Sequence, residues 1–280
     1  MRYSIPTPTQ SQIDIGPLTF HFYALCIIAG IAIAIWLGDR RLRSFGNSAG
    51  LDLTGVVSEV AVIAVPAGVI GGRLYHVLTS PEQYFGSSGS LLSILKIWNG
   101  GLGIWGAIAL GVLGALVAYR RIGRERELPS FKTFLDALAP GILLAQAIGR
   151  FGNWFNAELF GRPLDSWWAL EIPYKYRPRG YGLFETFHPT FLYEAICTTL
   201  LAVLLIKFGN RWRAGSVFYL YIAGYSMARF FIEAVRIDSA HNLLGMRVNQ
   251  WTSILIFVLG MTLFLDRNRV KKKTLRSPEI

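Results

Sequence analysis

Gly149-Arg150-Phe151-Gly152-Asn153-Trp154-Phe155-Asn156-Ala157-Glu158-Leu159-Phe160-Gly161-Arg162 follows directly on the apolar window 131–148 and breaks it with two arginines, two asparagines and a carboxylate. In water such a run is an ordinary polar helix cap. In a chain built for lipid it is costly, because an ionisable side chain at the bilayer centre costs at least ~2.5 kcal/mol and tends to be kept for a function. Which reading holds depends on where the rest of the chain lives.

Working outward, hydrophobic residues make up 52% of the 280 positions, and mean hydropathy is +0.40. Apolar windows lie at 20–38, 56–78, 100–119, 131–148, 191–207, 217–235 and 251–265. Several reach the ~20 residues that cross a bilayer, and the last is short unless it stands nearly upright. Lipid offers backbone amides no partner, so each window must be helical. The expectation is an all-α, polytopic integral membrane protein, one transmembrane domain over 1–280 with seven transmembrane helices. A small aromatic and basic outer-face segment at 163–187, a lid or docking surface, and a basic cytoplasmic tail at 266–280 complete it.

The formal charge of +11 sits mostly in Arg40, Arg41 and Arg43, in Arg120, Arg121, Arg124, Arg126 and Lys132, in Lys207, Arg211 and Arg213, and in the tail. These clusters follow every second window boundary. That is the positive-inside pattern, and it predicts an N-terminus outside and a C-terminus in the cytoplasm. Nucleic acid is excluded as a partner; attraction to anionic headgroups of the bilayer is expected. Residues 1–17 lack the layout of a cleaved signal peptide, which predicts a retained signal anchor. Cys26 and Cys197 both fall inside windows and support neither a disulfide framework nor a metal site, and no cofactor is called for.

Polar residues inside the windows are the candidates for chemistry. Tyr23 lies in the first, beside the interfacial His21; Arg73 and His76 lie near the end of the second, after Gly68 and Gly72 at close-packing spacing. Arg73 either snorkels outward or contacts an anion. Leu91 to Trp98 reads as a helix lying in the interface. Asn99-Gly100-Gly101-Leu102-Gly103-Ile104-Trp105-Gly106 opens the third window, and its glycines serve either close packing or backbone approach to an anion. His188-Pro189-Thr190-Phe191-Leu192-Tyr193-Glu194 opens the fifth, where Thr190 or the imidazole could cap free amides. Glu194 there wants a cationic partner from another helix. The sixth window supplies one, with Tyr225, Ser226, Arg229, Glu233 and Arg236 at spacings of three and four on one face.

Taken together these motifs resemble the prolipoprotein diacylglyceryl transferase family, bacterial membrane enzymes that begin lipoprotein maturation. The resemblance rests on Gly149 to Glu158 with Gly161-Arg162, on His188 to Glu194, on Phe22-Tyr23-Ala24-Leu25, on Gly71-Gly72-Arg73 and on Tyr225 to Arg236 in order. It implies transfer of the diacylglyceryl group of phosphatidylglycerol to the lipobox cysteine of a prolipoprotein signal peptide in the bacterial cytoplasmic membrane. A thioether forms and glycerol phosphate leaves. The family's essential arginines fall on Arg150 and Arg229 and its first-span tyrosine on Tyr23, with Glu158 beside them as a catalytic candidate. Asn153, Gly161, Tyr225, Glu233, Arg236, Arg73, Gly100 and Gly101 become substrate-binding candidates, and His188, Glu194, Trp105 and Asn99 secondary ones. Trp105 stands where a histidine is sometimes proposed as base in the family. Thiol activation by the field of the arginines, with Glu158 or Tyr225 relaying the proton, is therefore expected. A lipid transporter with the same arginine-lined cavity is the alternative, disfavoured by the absence of an evident inverted repeat.

Overall fold

In the computed structural model, which describes residues 4–16, 18–85, 89–97 and 100–274, a long helix forms in every apolar window, but the window at 20–38 opens in a strand (Leu18–His21) and the window at 100–119 opens ahead of its helix, which begins at Ile104. The helices are α1 (Phe22–Ala49), α2 (Val56–Thr79), the short α3 (Glu82–Phe85), α4 (Ile104–Ile122), α5 (Phe131–Phe155), α6 (Thr190–Phe208), α7 (Ser216–Val235) and α8 (Val248–Thr274). Among the described residues there are also three two-stranded antiparallel pairings: β1 (Gln12–Ile15) with β2 (Leu18–His21) before α1, β3 (Leu170–Glu171) with β4 (Thr186–Phe187) between α5 and α6, and β5 (Asn242–Leu243) with β6 (Met246–Arg247) between α7 and α8. Among the described residues six helical stretches are long and apolar enough to cross a membrane, so the chain is a multi-pass, helical membrane protein. α7 falls outside that set. Its Tyr219, Tyr221, Tyr225, Arg229 and Glu233 are polar substitutions within an otherwise apolar 20-residue helix. The last helix is not short: it runs 27 residues.

Two units make up the fold, residues 39–134 and residues 1–38 with 135–280. The first is built on α2 against α4 along a seam from which side chains have been removed. A Cβ on Gly71 would lie 2.2 Å from the Gly106 carbonyl oxygen, and one on Gly106 would lie 2.1 Å from that of Gly71. Gly68 and Gly72 sit at looser places on the same seam. Gly103 and Gly106 are needed for close packing, because Tyr75 lies against both. The stretch expected to lie in the interface as a helix forms a 3₁₀ turn, Leu91–Leu95, with Leu91, Leu92 and Leu95 exposed, and Trp98 at its expected end lies outside the described residues.

In the larger unit, α1 and α5 pack antiparallel through small residues. Ala34 meets Gly141, Gly30 meets Ala145, Ile27 meets Gly149 and Tyr23 meets Gly152. This seam lets α5 continue to Phe155, so the first seven residues of the polar run are its last two turns rather than a segment beyond it. Asp136, buried on α5, accepts the amides of Gly215 at 2.6 Å and Phe218 at 2.8 Å. It thereby satisfies donors that the first turn of α7 leaves open, at the positive end of that helix. The segment after α5 folds back onto the helices around Ala157, Phe160, Leu170, Ile172, Phe187 and Phe191. Ile5 bridges Leu170 in parallel, and Trp154 Nε1 donates to the Pro6 carbonyl at 3.0 Å.

Candidate active site

Helical spacing of four places Tyr225, Arg229 and Glu233 in one line on α7, and that line meets Glu194 one turn into α6. Glu194 is 3% exposed and is gripped from two helices. Arg150 of α5 reaches its Oε1 at 2.7 Å, Arg229 reaches its Oε2 at 3.2 Å, and the Tyr225 hydroxyl donates to Oε1 at 2.9 Å. The cationic partner that Glu194 requires thus comes from both directions. Two guanidinium forks converge on one planar anion, which is the geometry that suits carboxylate and phosphate alike.

From Arg150 the network runs back along the polar stretch. Its Nη1 donates to Asn153 Oδ1 at 3.2 Å, and Asn153 Nδ2 donates to Glu158 Oε1 at 2.8 Å, with Asn156 adding a second donor at 3.3 Å. Asn153 is buried while Glu158 is exposed, so the amide links a solvated carboxylate to a shielded arginine. Tyr23 reaches this place by packing its ring on Gly152, where a Cβ would lie 2.5 Å from Tyr23 Cδ2. The chain leaves the helix through two left-handed residues that are not glycine, Ala157 (φ 51) and Leu159 (φ 58). Such positions are strained by about 1 kcal/mol each or more and collect near functional sites. The Thr190 hydroxyl bonds the Leu159 carbonyl instead of capping α6. Gly161 turns out to be required by packing: it bridges Arg236, and a Cβ there would lie 2.8 Å from both His188 Cβ and Val235 Cγ1.

At the far end of the α7 line, Glu233 is fully buried among Arg229 Nη2 at 2.7 Å, Arg247 Nε at 2.9 Å and Asn249 Nδ2 at 3.0 Å, with Arg236 at 3.8 Å. Asp238 joins Arg236 at 2.7 Å and Arg247 at 3.0 Å. Partial burial acts to raise the Asp238 carboxyl, but the Arg236 hydrogen bond and the charges of Arg236 and Arg247 outweigh it and hold it below the usual carboxylate range. Arg247, Asp238 and Asn249 were not among the sequence candidates. The signal for Arg247 was its place before the last helix, at the end opposite the basic clusters of the positive-inside pattern. His188 Nδ1 lies 3.0 Å from the Tyr193 hydroxyl, which accepts from Trp168 Nε1 at 3.1 Å. Burial and then the Arg162 charge push this imidazole below its usual range, favouring its neutral form.

The sequence profile of prolipoprotein diacylglyceryl transferases matches residues 10–265. The chain belongs to this family. It is 48% identical over 256 residues to phosphatidylglycerol–prolipoprotein diacylglyceryl transferase 2 of Streptomyces coelicolor, covering 91% of this chain and 78% of that protein. The enzyme of the same name from Paenarthrobacter aurescens is 45% identical over 274 residues, 94% and 83% of the two chains. That of Cutibacterium acnes is 46% identical over 268 residues, 95% and 87%.

For a member of the prolipoprotein diacylglyceryl transferase family, one group of candidates behaves differently from the rest. Within residues 39–134, Arg73 is buried and donates all five N–H groups to main-chain carbonyls. These belong to Ile94 (2.8 Å), Gly100 (2.7 Å), Gly101 (3.0 Å), Lys96 (3.4 Å) and Ser93, and the Tyr84 ring lies under the guanidinium at 5.2 Å. Arg73 neither snorkels nor presents a donor to an anion in this arrangement. Gly100 (φ 83) and Gly101 (φ 75) adopt left-handed conformations that let their carbonyls turn to it. Trp105 is half exposed in the first turn of α4, and His76 bonds the Tyr84 hydroxyl at 2.9 Å. Asn99 and the tail beyond residue 274 lie outside the described residues.

Proposed function

We propose that the chain transfers the diacylglyceryl group of phosphatidylglycerol to the lipobox cysteine thiol of a prolipoprotein, forming a thioether and releasing glycerol phosphate. The observation that carries this reading is the convergence of Arg150 and Arg229 on a single buried anion position. Displacement at the glyceryl carbon builds charge on the departing phosphate, and two preorganised guanidinium groups stabilise it as it forms. In this reading Asn153 and Glu158 fix the Arg150 fork, Glu233 and Arg236 fix Arg229, and Tyr23 and Tyr225 line the headgroup position. Gly161 brings the outer segment 163–187 close to the end of α7. Arg73, with Gly100 and Gly101, holds the outer loop in shape.

The same reading places α7 in the bilayer as a seventh span, its polar line facing protein rather than lipid. With seven spans the N-terminus is outside, the C-terminus is cytoplasmic, and the site opens toward the outer leaflet of the bacterial cytoplasmic membrane. The deciding experiment is purified protein in detergent with phosphatidylglycerol and a lipobox peptide. Mass spectrometry should show the peptide gain a diacylglyceryl thioether; its absence, with intact phosphatidylglycerol, refutes the reaction and leaves lipid transport.

A further inference from the structure

The thiol in the proposed reaction has to lose a proton, and its reference pKa of ≈ 8.5 leaves only a few per cent ionised at neutral pH. Trp105 has no basic nitrogen to take it. Glu233 is fully buried with its oxygens committed to Arg229, Arg247 and Asn249. Glu158 is exposed and bonded by two amides, and it is linked to Arg150 through Asn153 rather than by direct contact. Glu194 is the carboxylate that touches both Arg150 and Arg229. We propose that Glu194 is the proton acceptor for the thiol, taking its proton between the same two guanidinium groups that receive the departing phosphate. This rests on the transfer reaction proposed above.

The groups facing Glu194 are Arg150 from α5, Tyr225 and Arg229 from α7, and on its own helix Cys197 three residues on. Each arginine has a second anchor, Arg150 at Asn153 and Arg229 at Glu233, so either can turn a donor from Glu194 to a phosphate without losing all its partners. The charges also match. Glu158 is exposed and solvated, and Glu233 and Asp238 balance Arg236 and Arg247, so the buried group of Arg150, Glu194 and Arg229 taken by itself carries one net positive charge. One phosphodiester monoanion brings that group to zero.

In the reaction the sulfur forms a bond to the glyceryl carbon while the carbon–oxygen bond to phosphate breaks, its electron pair passing to the phosphate oxygen. The phosphodiester monoanion becomes a monoester dianion as the thiol proton moves to the Glu194 carboxylate, which becomes neutral. The sum over the two guanidinium groups, Glu194 and phosphate is zero before and after. A buried site pays heavily for any uncompensated charge, so this pairing of proton uptake with phosphate release lowers the barrier where an exposed base would not. When the proton leaves with the product, Glu194 pairs again with Arg150 and Arg229 and displaces the glycerol phosphate.

The test compares unaltered protein, Glu194→Gln and Glu194→Asp in detergent, with phosphatidylglycerol and lipobox peptides bearing cysteine or selenocysteine. Glu194→Gln should lower kcat with the cysteine peptide about 10²- to 10⁴-fold at neutral pH. KM for phosphatidylglycerol should stay level or fall, and the remaining rate should climb as pH approaches the thiol's own ionisation. The selenol, already ionised at neutral pH, should restore turnover to within about tenfold of the unaltered protein, since the general-base contribution is no longer needed. Glu194→Asp, which keeps the charge, should lose less and show no alkaline climb. Turnover by Glu194→Gln at the unaltered rate, or an equal loss with both peptides at every pH, overturns the assignment and leaves Glu194 a merely structural brace. Should Glu194→Gln not fold, an alkaline climb in Glu194→Asp overturns it equally. If the unaltered protein makes no thioether, the transfer reaction itself has failed, which the other outcomes do not imply.

Discussion

Arg73 and Arg150 both hold a guanidinium where little water reaches, but they are satisfied by different kinds of partner. Arg73 spends its N–H groups on five main-chain carbonyls of the loop between α3 and α4. Arg150 gives its donors to side chains, Glu194 and Asn153. A carbonyl cannot turn away without unfolding the loop, whereas a carboxylate can rotate and be replaced by another anion. One arrangement fixes backbone; the other stores an exchangeable charge. The residues alone, two arginines near the ends of two apolar windows, look equivalent.

The largest expected effect is on the exchangeable side. Arg150→Ala should reduce thioether formation about 10²- to 10³-fold, the usual cost of losing a preorganised charge-stabilising donor. Its elution in detergent should be unchanged; retained transfer would remove Arg150 from the phosphate position. Arg73→Ala should invert the balance, since it strips partners from buried carbonyls at about 1–3 kcal/mol each where water does not replace them. Thermal unfolding in detergent should fall by several degrees while transfer per folded molecule changes less. If Arg73→Ala instead abolishes transfer at an unchanged melting temperature, the contrast between the two arginines is lost. Gly71→Val probes the glycine seam between α2 and α4. With 2.2 Å to the Gly106 carbonyl, the seam must open, at about 1–3 kcal/mol read by thermal unfolding.

Two smaller effects sharpen the picture. His188 has a depressed value in the fold, so the unfolded chain binds more protons than the native one between that value and about 6.5. Stability should therefore decline as pH drops from about 6.5, and a His188→Gln protein should lack that decline in pH-dependent melts. Asp238 is depressed too, so its contribution is complete above about 3.9 and lost as pH falls through the native value, a second and more acidic step that Asp238→Asn should erase. The smallest effect is expected of Trp105→His. With the proton acceptor elsewhere, the rate of thioether formation should change by no more than about twofold, and a large gain would restore the imidazole to the mechanism.

Much of this was legible in the residues. The helices follow the apolar windows because lipid leaves the backbone no other choice, and the polar spacing on α7 announced a buried face. The charge of Glu194 within a window announced that arginines would meet it. What the sequence did not disclose follows from partners distant along the chain. Arg73 and Arg150 differ only in what stands opposite, and Arg247 enters through a hairpin whose turn at Leu244 and Gly245 carries no hydrophobic period to read. The extension of α5 to Phe155 depended on Gly149 and Gly152 meeting Ile27 and Tyr23, a match between helices rather than a property of either. The limits of α8 were missed because its polar ends fall outside an apolar window while still completing the helix.

Asp136 has a consequence beyond satisfying two amides. It ties the start of α7 to α5, and at the other end Val235 and Arg236 are tied to Gly161, Arg162 and Arg247. A helix secured at both ends cannot ratchet by a turn, a slide of about 5.4 Å, without breaking both attachments. Exchange of Glu194 for a ligand must then proceed by rotation of side chains about a stationary rod. The rate of that exchange is set by local torsional barriers, and a cross-link between α5 and α7 at their basal ends should leave it untouched.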